Sequence, residues 1–196
     1  MKKTLLSVLA LSLGWQLVAS ADEVAVMNIR MPGEKKTQAV VLEFYDSEAS
    51  QTVDNFKKLA RKGFYNGLSF HRVFPHMLVQ TGDPLSASRN SSRIGTGGPG
   101  YTLAPEVHRK HVVGAVAMSR LPDKINPGRR SSGSQFYFCL KAMPNLDGQY
   151  TVFGHVASGI ELLDQISAKP TDTNDNPVDK IRIKSIRIVD REKAGI

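Results

Sequence analysis

Short apolar runs of strand length, several alternating apolar with polar positions, dominate this chain and predict β-strands. Val24 to Met31 and Gln38 to Tyr45 flank Pro32-Gly33-Glu34-Lys35, a turn sequence, and are expected to form a hairpin. Ser69 to Phe74 and Met77 to Gly82 follow, separated by Pro75-His76. Val112 to Ser119, Ser134 to Leu140, Thr151 to Val156 and Lys180 to Val189 complete a set of eight. In the last, Ile181 and Ile183 share one parity and Ile186 and Ile188 the other, so a bulge is expected near Lys184-Ser185. Two segments change to a helical period. Val53, Phe56 and Ala60 recur at i, i+3 and i+7, with Leu59 beside them and Gly63 as the stop. Gly159 to Ile166 puts Ile160, Leu163 and Ile166 on one face. Together these predict an all-β-dominated fold, a closed eight-stranded antiparallel β-barrel capped by two α-helices. Closure removes exposed edges.

The first 21 residues do not fit that pattern. Lys2 and Lys3 precede an apolar run from Leu5 to Val18, and Ala19-Ser20-Ala21 supplies small residues for a signal peptidase. A secretory signal cleaved after Ala21 is expected, leaving residues 22–196 as one exported domain. The expected location is the periplasm, or the medium if the cell envelope allows full secretion. No other stretch is long and apolar enough to span a bilayer, so no membrane association is expected after cleavage. The net charge is +8, but Lys and Arg are scattered, with one local cluster at Lys124 to Arg130. Scattered charge without interleaved aromatics argues against a nucleic-acid partner. A lone cysteine, Cys139, cannot close an intramolecular disulfide, and its place in Phe136-Tyr137-Phe138-Cys139-Leu140 marks it as a small buried hydrophobe.

Several apparent motifs dissolve on inspection. Gly95, Gly97 and Gly100 satisfy G-x-G-x-x-G, but Pro99 interrupts them and no helix follows to present amides to a phosphate, so a flexible surface loop is expected. His108 and His111, with His71 and His76 upstream, lack the converging partners a metal site needs. Ser132-Gly133-Ser134-Gln135-Phe136 is not a nucleophile elbow. The stretch Phe70-His71-Arg72-Val73-Phe74-Pro75-His76-Met77-Leu78-Val79-Gln80-Thr81-Gly82-Asp83 carries more. Alternation puts Arg72 and Phe74 on one side and His71 and Val73 on the other, a guanidinium among aromatics. On composition alone, a snorkelling or structurally paired arginine accounts for it.

This stretch resembles the central signature of cyclophilin-type peptidyl-prolyl isomerases. Gly133-Ser134-Gln135-Phe136-Tyr137 is similar to the family's G-S-Q-F-F, and Leu146-Asp147-Gly148 through Phe153-Gly154 to its L-D-G…F-G segment. Gly95 to Tyr101 resembles the family's glycine loop, and Thr52-Val53-Asp54-Asn55-Phe56 its first helix. The matches run in family order over nearly all of residues 22–196. The resemblance implies an eight-stranded barrel with two helices, and turnover of Xaa-Pro peptide bonds. It implies Arg72 as the catalytic arginine and Gln80 as the glutamine holding its guanidinium. It also implies a substrate pocket of Phe70, Met77, Leu78, Ser119, Arg120, Leu121, Gln135, Tyr137, Leu146 and Tyr150. In it Met77, Tyr137 and Leu146 grip the proline ring, while residues 119–121 hold the substrate largely through main-chain groups. No metal and no cofactor are implied, because no bond is broken.

Three positions depart from many eukaryotic members: Asn145 stands for Trp, Tyr150 for His and Met77 for Phe. Bacterial members often vary at the first two, so the resemblance is to an exported bacterial member. The departures argue against tight cyclosporin binding. They also keep a second reading open, a proline-binding or chaperone module with little turnover. The expected partners are proline-containing unfolded or exposed polypeptide segments, met by a monomer. The 122–132 loop is longer than its family counterpart, and Lys124, Arg129 and Arg130 predict a preference for acidic or unfolded partners, with a solvated loop as the plainer reading.

Overall fold

A computed structural model describes residues 22–88 and 92–196. The expected signal at 1–21 lies outside the described residues. The hairpin opens the fold: β1 (Glu23–Arg30) pairs antiparallel with β2 (Gln38–Phe44). Its turn closes where Glu34 N–H donates to Met31 O, with Gly33 at a positive φ of 77°. α1 (Ser50–Arg61) follows and buries Val53, Phe56, Leu59 and Ala60, the predicted face. Its first N–H groups would be orphaned. Glu106 satisfies them from a distant loop, accepting from Gln51 N (3.1 Å), Thr52 N (2.9 Å) and the Thr52 hydroxyl (2.7 Å). Negative charge at a helix N-terminus is also favoured by the helix dipole.

The remaining elements are β3 (Arg72–Phe74), β4 (Leu78–Thr81), β5 (Thr102–Leu103), β6 (Ala115–Met118), β7 (Ser131–Ser132), β8 (Phe136–Cys139), β9 (Val152–Ser158), α2 (Ile160–Ser167), β10 (Arg182–Asp190) and α3 (Arg191–Ala194). Eight strands form one curled antiparallel sheet in the order β10-β1-β2-β9-β6-β8-β4-β3, and β5 and β7 form a separate two-stranded patch. The predicted bulge is present: Asn28 pairs with Ser185 but Ile29 with Ile183, so Lys184 is the extra residue.

The expected closed barrel is not formed. β3 is only three residues long, and its outer edge is taken by a loop, with Val73 N–H donating to Asp175 O (3.0 Å). Contact with β10 is left to the segment before β3, through one bridge, Ser69 to Arg182, and the bonds around it. The sheet is therefore a curled half-barrel whose edges meet without a full ladder.

One face of the sheet carries the main core. Phe56 lies at its centre, with ring centroids of Tyr65, Phe136 and Phe153 at 5.2, 5.3 and 5.3 Å. α2 adds Leu162, Leu163 and Ile166 to the same core. The opposite face of β6 and β8 carries a second apolar cluster of Ala115, Ala117, Tyr137, Cys139, Met143 and Val152. Among the described residues no helix is long and apolar enough to cross a membrane.

Candidate active site

Strand register builds the site. Arg72 stands opposite Gln80, Gln80 opposite Tyr137, and Tyr137 opposite Ala117, across β3, β4, β8 and β6. Directly paired residues share a face, so these four form a row on the face away from the main core. The neighbouring row, Val73, Val79, Phe138 and Val116, points into that core. Met77, Leu78, Leu146 and Tyr150 pack half-buried around Tyr137 and Ala117, giving an apolar patch open on one side. The tyrosine rings of 137 and 150 meet nearly perpendicular, at 84° and 6.0 Å.

Arg72 sits at the rim, with half of its side chain exposed (51%). Its guanidinium lies over the Phe74 ring at 4.8 Å, and its Nε is 3.8 Å from the Asp175 carboxylate. Gln80 does not hold it as expected. The Gln80 amide donates instead to Gln135 Oε1 (2.9 Å) and the Ser119 hydroxyl (3.3 Å). Gln135 in turn donates to the carbonyls of Gly95 (3.0 Å) and Gly97 (2.8 Å). The two buried glutamines thus link the arginine's row to the glycine loop, satisfying each other's polar groups.

That loop is anchored, contrary to the expected flexible one. Asp83, fully buried, accepts from the amides of Leu85, Gly95 and Gly97. A Cβ at Gly97 would stand 2.1 Å from the Asp83 carboxylate, which is why glycine is required there. Ser134 is fully buried and donates to Gly82 O (2.8 Å), a structural role.

Phe70 is a second correction. Strand alternation predicts it beside Arg72, but the chain is irregular at 70–71 and Phe70 N–H pairs with Ile181 O of the segment leading into β10. Its side chain is fully buried in the main core, tilted against Phe138 at 6.4 Å. It therefore belongs to packing and not to a substrate surface. His71, also buried, lines a cavity of about 610 Å³ with Arg72, Gln80, Ser119, Arg120 and Lys180. Burial pushes its pKa below the usual imidazole value.

Residues 119–121 divide their roles. Ser119 uses both main-chain groups internally, donating to Gln135 O and accepting from Ser132 N. Among the described residues those of Arg120 make no hydrogen bond. The Arg120 side chain is almost buried. It lies over the Tyr150 ring at 4.6 Å and donates to Gln149 O (2.9 Å), Leu121 O (3.1 Å) and Asp123 (2.5 Å). Leu121 is half exposed and lines a second cavity, of about 710 Å³, with Tyr101, Ile125 and Gln135. Two cations of the basic loop are tied down locally. Arg129 pairs with Asp123 (2.7 Å) and Arg130 donates to Thr102 Oγ1 (2.7 Å) and O (2.8 Å).

Beneath Tyr137 lies a chain that the sequence did not signal. His111, whose sequence context argues against a metal ligand, bonds Tyr137 and Asp147. Among the described residues no three His, Cys, Asp or Glu side chains are grouped to hold a metal ion. Burial pushes the Cys139 thiol up to about 12, so it is protonated and inert.

A profile of the "Cyclophilin type peptidyl-prolyl cis-trans isomerase/CLD" family matches residues 28–188. "Peptidyl-prolyl cis-trans isomerase-like 1" of Aspergillus fumigatus is 36% identical over 152 residues, 76% of this chain and 88% of that protein. A peptidyl-prolyl cis-trans isomerase of Helicobacter pylori is 41% identical over 132 residues, 65% of this chain and 73% of that one. A crystal structure of a Cryptosporidium parvum cyclophilin type peptidyl-prolyl cis-trans isomerase superposes with a TM-score of 0.73 at 25% identity, covering 85% of this chain and 97% of that one. A further crystal structure of that protein was obtained in the presence of the dipeptide Ala-Pro, with a TM-score of 0.71.

Proposed function

This chain belongs to the cyclophilin-type peptidyl-prolyl cis-trans isomerase family, and we propose that Arg72 supplies its central catalytic donor. The barrier to rotation about a peptide C–N bond is about 18–20 kcal/mol, because resonance gives it partial double-bond character. No bond needs breaking, so the enzyme must favour the twisted state over both planar ones. In that state the prolyl nitrogen becomes pyramidal and gains a lone pair. A fixed donor aimed at that lone pair is bonded only as resonance is lost. Arg72 suits this because it stays charged and presents a rigid fork of N–H groups.

The observation that carries this reading is the row of Arg72, Gln80, Tyr137 and Ala117, a rim guanidinium in register with an apolar floor. Met77, Leu78, Tyr137, Leu146 and Tyr150 would seat the proline ring. The main-chain groups of Arg120 would pair with the substrate backbone. Gln80, bonded to Gln135, would hold the wall between them. On this reading Arg72→Ala lowers kcat/KM on Xaa-Pro peptides by about 10²–10³-fold, the usual loss for one transition-state donor. Unchanged turnover would remove Arg72 from the mechanism. Peptide binding without acceleration in the wild type would favour the binding-module alternative.

We further propose that the protein is exported to the periplasm, as a monomer, and acts on proline-containing unfolded segments of other exported chains. The support is the leader-like composition of residues 1–21. Intact-mass measurement of protein recovered from the periplasm should give a chain beginning at Asp22. A chain recovered in the cytoplasm with Met1 in place would contradict export.

A further inference from the structure

We infer that His111 and Asp147 are positioning residues that fix the floor of the proline pocket through the Tyr137 hydroxyl. This rests on the isomerase reading of the site. Tyr137 is the third of the four residues in the site row, and its ring belongs to the apolar floor with Met77, Leu78, Leu146 and Tyr150. Its hydroxyl points the other way, to His111 Nε2 at 3.0 Å. Asp147 Oδ1 faces both the His111 backbone N (2.7 Å) and its Nδ1 (3.0 Å). His111 is 1% exposed and Tyr137 5%.

The protons are assigned by the partners. A carboxylate can only accept, and the His111 backbone N–H holds Asp147 below the usual carboxylate range. His111 Nδ1 must therefore carry the hydrogen. Burial lowers the pKa of His111, so the imidazole is neutral and Nε2 is an acceptor. Burial raises that of Tyr137, which keeps its proton and donates. The chain runs in one direction: Tyr137 O–H to His111, His111 N–H to Asp147. It holds the Tyr137 ring at 12° to the imidazole, with Tyr150 at 85° to the imidazole.

A second proton on His111 would reverse its Nε2 from acceptor to donor, so the Tyr137 hydroxyl would have to turn its own hydrogen away and accept, rebuilding the bond that sets its ring and placing a charge beneath the floor. The charged and titratable groups facing this pair are Asp147, Lys110 beside Asp147, Tyr150 and Cys139, and Arg120 across Tyr150. Of these, Asp147 favours that protonation through its hydrogen bond and its charge, and burial opposes it more strongly.

The test compares wild type, Tyr137→Phe, His111→Gln and the double variant, with kcat and KM measured from pH 8 to pH 4.5 on an Ala-Pro peptide. In wild type KM should rise several-fold towards acid, while both single variants lose that pH-dependent rise and the double variant behaves as either single one. A rise that survives in Tyr137→Phe would overturn the relay, as would additive effects of the two substitutions. If His111→Gln does not fold, Tyr137→Phe, which removes one hydroxyl, carries the same comparison. An NMR titration of the imidazole nitrogens is independent of turnover. It should show the Nδ1–H tautomer at neutral pH and an Nε2 shift altered in Tyr137→Phe. Absence of both would overturn the relay even in an active enzyme. Absence of turnover in wild type with both present would leave the relay standing and sink the isomerase reading.

Discussion

At the scale of single residues, position in the register decides role. Arg72 has the partners of a surface arginine, an aromatic ring and a carboxylate at 3.8 Å, both half exposed. Exposed pairs of that kind contribute about 0.2–1 kcal/mol. Asp175→Asn should therefore change kcat/KM by no more than about fivefold, read in the same peptide assay as Arg72→Ala. A loss as large as that of Arg72→Ala would make Asp175 part of the mechanism. Arg120 is the inverse case. Its charge meets Asp123, two carbonyls and the face of Tyr150, so its side chain is tied down while, among the described residues, its main-chain groups make no hydrogen bond.

At the scale of elements, α1 holds the site from behind. Asn55 Nδ2 donates to Gly133 O (2.8 Å), and Asn55 Oδ1 accepts from the Tyr101 hydroxyl (2.6 Å), tying the helix to the glycine loop. Phe56, one residue on, is the hub of the core aromatics. Phe56→Ala should destabilise the fold by about 3–5 kcal/mol, measured by chemical denaturation; a loss under 1 kcal/mol would show that the core collapses around it. Both helix faces and all eight main strands were legible from periodicity, because those patterns reflect burial directly. Phe70 was not, since period two fails where the backbone leaves the strand. Nor was the open barrel, which depends on the 171–177 loop occupying the β3 edge. The proposed site residues could be named only through family-ordered motifs. Gln80's attachment to Gln135, and the link from Tyr137 to Asp147 through His111, depend on contacts between distant segments that no local pattern encodes.

For the whole molecule, two buried histidines set the response to acid. His71 and His111 both have pKa values lowered by burial, so between those values and the ordinary one near 6.5 the unfolded chain binds more protons than the folded one. Their contribution to stability is complete above about pH 6.5 and is lost as pH falls below it. The thermal midpoint should decline through that range, and a midpoint that rises on acidification would contradict the assignment. The half-barrel packs its main core on one face and carries the proposed site on the other, so the role of Arg72 in catalysis is the point to test. NMR exchange spectroscopy on an Ala-Pro peptide, with catalytic amounts of protein, reads binding and isomerisation in one sample. Wild type should accelerate cis–trans exchange, and Arg72→Ala should still broaden the peptide signals on binding while losing about 10²–10³-fold of the exchange rate. Undiminished exchange in Arg72→Ala would contradict the account.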